Sequence, residues 1–272
     1  MSNNTAYWDQ RRSNVYSAVG GWILGKGVFS HGINLLDDVI GKYSYMQIHV
    51  LNVTGKLPER KIADWMEASF IFLSWPDSRI WCNQIGALGG EANCSAAAAV
   101  AAGIQAACSE LYGGSTIVKG CEFLRSAFTK RQQGASVKEI VEFEVSRRRG
   151  RPDIAGFARP LVKGDERVDI LLAYARALDF PVGPHEQFAL EIEEYLGTEY
   201  DERMNMNGCI AAFCTDQGYS GEQLNNIAAT IVSSGIGACY VDNIHRQQGS
   251  FLPLRCDDIE YTGKPIREVP TD

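Results

Sequence analysis

Four histidines, eight cysteines, one glycine cluster and one arginine run are the residues of this 272-residue chain whose types could do chemistry on their own. His31, His49, His185 and His245 stand far apart and have no metal-ligand spacing. His49 falls inside an apolar run at helical spacing and reads as a packing residue. His185, between Pro184 and Glu186 at a helix start, reads as solvent-facing. The cysteines, at 82, 94, 108, 121, 209, 214, 239 and 256, form no Cys-x-x-Cys pair, and most sit in apolar helical patterns. Buried free thiols in a reducing compartment suit them better than a zinc site or a disulfide frame. There is no Gly-x-Ser-x-Gly and no cysteine nucleophile beside a histidine. Gly86-Ala-Leu-Gly89-Gly90 lacks both the Lys-Ser/Thr and the preceding strand that phosphate cradling requires. Arg149-Gly150-Arg151-Pro152, behind Arg147 and Arg148, has the spacing of a minor-groove reader, but a solvated basic loop is the plainer reading.

Composition bounds the alternatives. With 26 Lys and Arg against 33 Asp and Glu the net charge is −7, which argues against nucleic acid as a partner. Apolar residues make up 45 % and charged residues 22 %, values of an ordinary globular protein rather than a disordered chain. The polar start, Met1 to Arg12, carries no secretory signal pattern, and the alanine-rich run Cys94 to Ala107 is shorter than a membrane span. A cytoplasmic protein without a membrane partner is expected.

The elements that must position any site are helices. Leu35 to Ile40 ends at Gly41, Ser44 to Val53 ends at Thr54-Gly55, and Ile62 to Phe72 stops at Trp75-Pro76. Ala96 to Leu111 is small or apolar on every face, which predicts a central helix packed on all sides and broken by Tyr112-Gly113-Gly114. Val137 to Val145, Val168 to Leu178, Pro184 to Leu196 and Ile210 to Gln217 follow, and Ser220 reads as the cap of one long helix through Tyr240. Only Phe251 to Pro270 looks extended, and no period-two stretch builds a sheet. The fold class expected is all-α.

Read in order, several segments resemble the citrate synthase superfamily, in particular its compact citryl-CoA lyase branch. They are Gly32-Ile-Asn-Leu-Leu-Asp-Asp-Val-Ile-Gly41 with Ser44-Tyr-Met and Leu51-Asn-Val-Thr-Gly55-Lys-Leu-Pro58; Leu111-Tyr112-Gly113-Gly114; and Gly156-Phe-Ala-Arg159-Pro-Leu-Val-Lys163 with Asp165-Glu-Arg167. Asn205-Met-Asn207-Gly208, then Pro253-Leu-Arg255 and Tyr261-Thr-Gly263, complete the series across roughly residues 30 to 270. The resemblance implies a large helical domain, 1–114 with 215–272, and a smaller lobe, 115–214, closing over the active site of a homodimer. It implies a CoA thioester and a small carboxylate as ligands, with no metal.

The same resemblance places Tyr112, Arg159 and Asn207 where the family keeps its two catalytic histidines and its aspartate. A carboxamide cannot ionise to serve as a general base, a role worth about 10²–10⁴ in rate. A phenol can still donate to an enolate oxygen, and a guanidinium suits a carboxylate or phosphate. Arg167 and Arg255 match substrate-binding arginines, Arg79 or Asn83 falls where an early substrate-contacting histidine is missing, and Lys163 and Asn205 are candidates for contacts to CoA. Read without the family, the arginines form salt bridges, Tyr112 is a helix-end packing residue and Asn207 is a helix N-cap. Two functions follow as expectations: enolate-type carbon–carbon bond formation or cleavage, decarboxylative if no base has moved in, or a catalytically silent binding or regulatory homologue. Asp165 and Glu166 are the acids near enough in sequence to replace the lost base.

Overall fold

The computed structural model describes residues 5–109, 112–159, 162–246, 255–258 and 260–269. Its described part holds twelve α-helices: α1 (Ala6–Asp9), α2 (Tyr45–Thr54), α3 (Arg60–Leu73), α4 (Trp81–Glu91), α5 (Ala96–Ala107), α6 (Gly114–Gln132), α7 (Val137–Arg147), α8 (Glu166–Ala177), α9 (Pro184–Tyr200), α10 (Met206–Asp216), α11 (Gly221–Ala228) and α12 (Ser233–Ile244). The expected all-α class holds, and the starts of the helices follow from local chemistry. Ser44, Ser136 and Ser220 each close a capping box with Gln47, Glu139 and Gln223, satisfying backbone N–H groups that the first turn leaves unpaired. Pro184 opens α9 at its first turn, where a missing N–H costs nothing.

Four expectations are corrected. A three-stranded antiparallel sheet, β1 (Gly20–Ile23), β2 (Gly27–Ser30) and β3 (Ile33–Asn34), precedes α2. All of β1 is exposed, so burial imposes no period of two on its side chains. The β2–β3 turn is His31-Gly32, both at positive φ (48° and 82°), the twist that matches paired strands. Leu35–Val39 is a single π-helical turn rather than an α-helix. The helix predicted from Ser220 through Tyr240 breaks between Ala228 and Ser233, where Thr230, Ile231 and Val232 are three successive β-branched residues. By length and composition the stretch 221–244 could cross a membrane, yet half of it is buried in this fold.

Helix α5 is not enclosed on all sides. Ala99, Gly103 and Ala107, spaced by four, are its buried face, whereas Ala97, Ala98, Ala101 and Ala102 are exposed. Its buried side packs on α4 and α12. The glycines of α4 set that contact: a Cβ on Gly86 would lie 2.6 Å from the Ile236 carbonyl oxygen, and one on Gly90 would lie 2.5 Å from that of Tyr240. Their function is close helix crossing, not phosphate binding.

One contiguous apolar core runs from Met46 to Ile236, with Trp65 stacked on Phe213 at 3.8 Å near its centre. It draws residues from both of the expected lobes. Residues 247–254, 259 and 270–272 lie outside the described residues, so much of the expected extended tail is not covered; residues 260–269 are exposed and irregular. Gly90→Val should force α4 off α12 and cost about 1–3 kcal/mol, read as a lower midpoint in urea denaturation with an unchanged slope.

Candidate active site

Three chain breaks converge on one place: the α5–α6 turn, the α7–α8 connection and the start of α10. At the first, Gly113 adopts φ 80° and ψ −150°, a conformation open only to glycine, and a Cβ there would collide with the Ala107 carbonyl. This turn carries Tyr112, whose ring meets Trp81 edge-on at 5.6 Å. Cys82 is the neighbouring ionisable group. Burial, then the neighbouring Cys82, pushes the phenol up to about 12, despite the opposing charge of Arg167. Tyr112 therefore keeps its proton at neutral pH and is a donor rather than a base.

Asp165 is the hub of the second and third breaks. Its side chain is fully buried; Arg167 donates to its two oxygens from Nε and Nη2, both at 2.6 Å. The Met206 N–H at the start of α10 donates to Oδ2 at 3.1 Å, and Arg159 Nη1 lies 3.9 Å from Oδ1. Burial alone would raise this carboxyl, but the bonds and charge of Arg167, the Met206 N–H and Arg159 outweigh it and hold the group below its ordinary value. Arg167 also donates to the Phe72 carbonyl at 3.2 Å and lies over the Trp75 ring at 4.9 Å. Arg159 donates to Glu166 at 3.0 Å. Neither acid near enough in sequence to replace the base is free: both are engaged by arginines.

The cap of α10 is Asn205, not Asn207. Asn205 Oδ1 accepts from the N–H groups of Asn207 and Gly208, and its Nδ2 donates to the Ala158 carbonyl at 2.6 Å, tying α10 to the segment that bears Arg159. Asn207 is thereby released from capping. Its Nδ2 donates at 2.6 Å to Thr116 Oγ1, whose own hydroxyl donates to the Gly113 carbonyl at 2.7 Å. Because the Thr116 proton is already used, Asn207 must present its NH₂ to Thr116, leaving Oδ1 with no partner among the described residues. A continuous path thus joins Tyr112 to Gly113, Thr116, Asn207, Met206, Asp165 and Arg159.

The remaining candidates sit differently. Asn83 is 2 % exposed and its amide donates to the carbonyls of Trp75 and Asp77, which fixes the loop beneath Arg167. Arg79 is exposed and paired with Asp77. Lys163 pairs on the surface with Asp201. Arg255 is exposed, its backbone N–H donating to Asp258. Pro160 and Leu161 of the Arg159 motif, and Pro253 and Leu254 before Arg255, lie outside the described residues. Among the described residues no group of three His, Cys, Asp or Glu side chains could hold a metal ion. His185 is not solvent-facing: its ring bonds Asp216 at 2.7 Å, and Asp216 also caps α9 through the His185 and Glu186 N–H groups. His49 bonds the Ile227 carbonyl at 2.9 Å, as a packing histidine does. The sequence reading missed Cys82, Thr116, Trp75 and Trp81; only the proximity of the last two to the predicted gap at Arg79 hinted at them.

No family model matches the sequence, and no curated protein does. Solved structures do match in fold. The citryl-CoA lyase of Hydrogenobacter thermophilus superposes with a TM-score of 0.77 at 24 % identity, over 94 % of this chain and 97 % of that one. The ATP citrate lyase of Methanothrix soehngenii, solved with citrate and coenzyme A, superposes at 0.75 with 18 % identity; this chain is covered throughout but spans 46 % of that protein. The citrate synthase of Thermoplasma acidophilum, solved with carboxymethyl coenzyme A and oxaloacetate, superposes at 0.64 with 16 % identity, over 84 % of this chain and 59 % of that one. The chain has the citrate synthase-like fold. Within it, the match to a citryl-CoA lyase runs over nearly the full length of both chains.

Asp165→Asn should cost about 3–5 kcal/mol, because it leaves two guanidinium groups without their buried partner. Asp165 sits below its reference value of 3.8 in the folded chain, so its contribution is present above that pH and is lost as pH falls through the folded value. Denaturation midpoints followed from pH 7 to 3 should fall less steeply at the acid end in the variant.

Proposed function

We propose that this protein binds a CoA thioester together with a small carboxylate and makes or breaks a carbon–carbon bond through an enolate. The observation that carries this reading is the path linking Tyr112, Asn207 and Arg159, which gathers a protonated phenol, a free amide oxygen and two guanidinium groups at three converging chain breaks. The solved relatives of this fold include proteins holding citrate, oxaloacetate and CoA derivatives, which supports the ligand class.

Tyr112 donates to the enolate oxygen, where a fixed donor is worth several kcal/mol in a site that excludes water. Arg159 and Arg167 hold the carboxylate, and Asn207 Oδ1 accepts from the substrate and orients it. Asn83 and Asn205 act as positioning residues through the loops they tie down, while Arg79, Lys163 and Arg255 are exposed cations available to the outlying phosphates or carboxylates. Since Asn207 cannot remove a carbon-bound proton, the enolate arises by breaking a bond to carbon. Loss of carbon dioxide from a carboxyacyl thioester leaves the bonding electron pair on the enolate and needs no base.

A homodimer fits the same reading. The exposed alanine face of α5, with side chains too short to hold two helices apart, suits a close contact with a second copy. The pairing of Asp165 and Glu166 with arginines favours one rival, a homologue that binds ligands or regulates an active paralogue without turnover of its own.

Thermal shift with CoA, acetyl-, malonyl- and citryl-CoA, read beside free-thiol release, tests the reading, because a ligand stabilises the native state even without turnover. Stabilisation by a thioester is expected; no stabilisation by any of them would end the proposal. Where turnover is found, Tyr112→Phe should lower kcat by about 10²-fold with little change in KM. Asn207→Asp supplies a carboxylate base and should raise acetyl-CoA-dependent activity by about 10²-fold or more. Turnover that survives Tyr112→Phe unchanged would remove Tyr112 from the chemistry.

A further inference from the structure

No residue from 5 to 26 is buried, and Trp8, Val15, Tyr16, Trp22, Ile23 and Leu24 are each at least half exposed. So much apolar side chain standing in water along one segment marks a surface that another molecule covers. Between Arg12 and Lys26 the segment has no charged residue and no proline. Strand β1 is also an edge of its sheet, whose order is β1-β2-β3. It therefore lacks the charges and prolines that keep other edges from pairing.

Alternation along the ladder fixes which backbone groups are open. The His31 N–H donates to the Val19 carbonyl, and the register sets Gly21 against Phe29 and Ile23 against Gly27. Alternate residues of an antiparallel strand turn their peptide groups the same way, so 19, 21 and 23 face β2 while Gly20 and Trp22 face outward. The Gly20 N–H is met only by the Ser17 hydroxyl, at 3.2 Å, and the outward groups of Trp22 have no partner among the described residues. The two glycines differ. A Cβ on Gly20 would lie 2.3 Å from the Phe29 carbonyl oxygen, which accounts for that glycine. One on Gly21 would meet nothing within 4 Å, and Gly21 is not at positive φ, so nothing within a single chain calls for glycine there.

We propose that β1 pairs antiparallel with β1 of a second copy about a two-fold axis at Gly21, joining two three-stranded sheets into one. Gly20 of each copy then exchanges hydrogen bonds with Trp22 of the other, using the outward groups of both. On one face each Trp22 ring lies across from the other copy's Gly20 and covers the space left by the missing side chain. On the other face Val19, half exposed, meets Ile23 as a β-branched cross-strand pair. The two Gly21 residues oppose each other as a non-hydrogen-bonded pair with Cα atoms about 4.5 Å apart, which accounts for the second glycine. A second copy suits the charges as well. Residues 5–26 carry three basic side chains against one acid in a chain whose net charge is −7, so the segment is drawn toward a like molecule. The contact is isologous and uses no residue of the α5 face.

Sedimentation velocity of the full-length chain and of Trp22→Lys, with cross-linking of Gly21→Cys, tests it. Trp22 is 74 % exposed, so the substitution should leave the far-ultraviolet circular dichroism unchanged. The unaltered chain should sediment with twice the mass of Trp22→Lys, whose association should be weakened about tenfold or more. Gly21→Cys places two thiols at a separation that a disulfide spans, and oxidised glutathione should convert it to a covalent pair on a non-reducing gel. The unaltered chain, with its exposed Cys94 and Cys108, is the control and should give none of that product. Adding Trp22→Lys to Gly21→Cys should abolish most of it. Equal mass for the unaltered chain and Trp22→Lys, including both as monomers, would overturn the proposal. So would a lower mass in Trp22→Lys with no more cross-linking in Gly21→Cys than in the control, because the strand would then dock elsewhere.

Discussion

A buried carboxylate is expensive unless every lone pair is used, and the centre of this protein is organised around meeting that requirement for Asp165. The same group caps the start of α8, accepts from the first N–H of α10 and holds Arg167, which in turn reaches the Phe72 carbonyl at the end of α3. One side chain thus fixes the relative positions of three helices whose ends surround the candidate site. Arg159 is drawn to the same place by the same charge. Both guanidinium groups are consequently held by an internal anion.

The chemistry at position 207 turns on a single hydrogen bond. Thr116 spends its proton on the Gly113 carbonyl and so can only accept from its neighbour, which suits an amide NH₂ and not a carboxylate. Asparagine there agrees with its surroundings, and the amide oxygen left over is an acceptor without basicity. Tyr112 is consistent with this: burial keeps its proton on, so the two residues together offer donation and orientation but no proton abstraction.

Much of the helical plan was legible because helix starts are local. Ser44, Ser136 and Ser220 with their partners three residues on satisfy N–H groups within one turn, and such signals survive without tertiary context. The small sheet was not legible, because β1 is exposed throughout and β2 and β3 are short and only partly buried, so none carries an alternating pattern. The break after Ala228 was hidden by an apolar composition that favours burial in either conformation. The glycines of α4 invited a phosphate-loop comparison, whereas their role depends on helix α12, distant in sequence, lying against them.

The order of motifs along the chain was enough to name the fold, and residue identity fixes what Tyr112, Arg159, Arg167 and Asn207 can each ionise, donate or accept. Which of them are free to do so was decided only in three dimensions. Asn205 rather than Asn207 caps α10, Asn83 is consumed by a loop, Asp165 and Glu166 are bound to arginines, and α5 leaves an alanine face open. These outcomes depend on hydrogen bonds and ion pairs, and on packing between helices far apart in the chain. A hydrogen-bonding group has a limited number of partners, and only the folded chain determines which of them it meets.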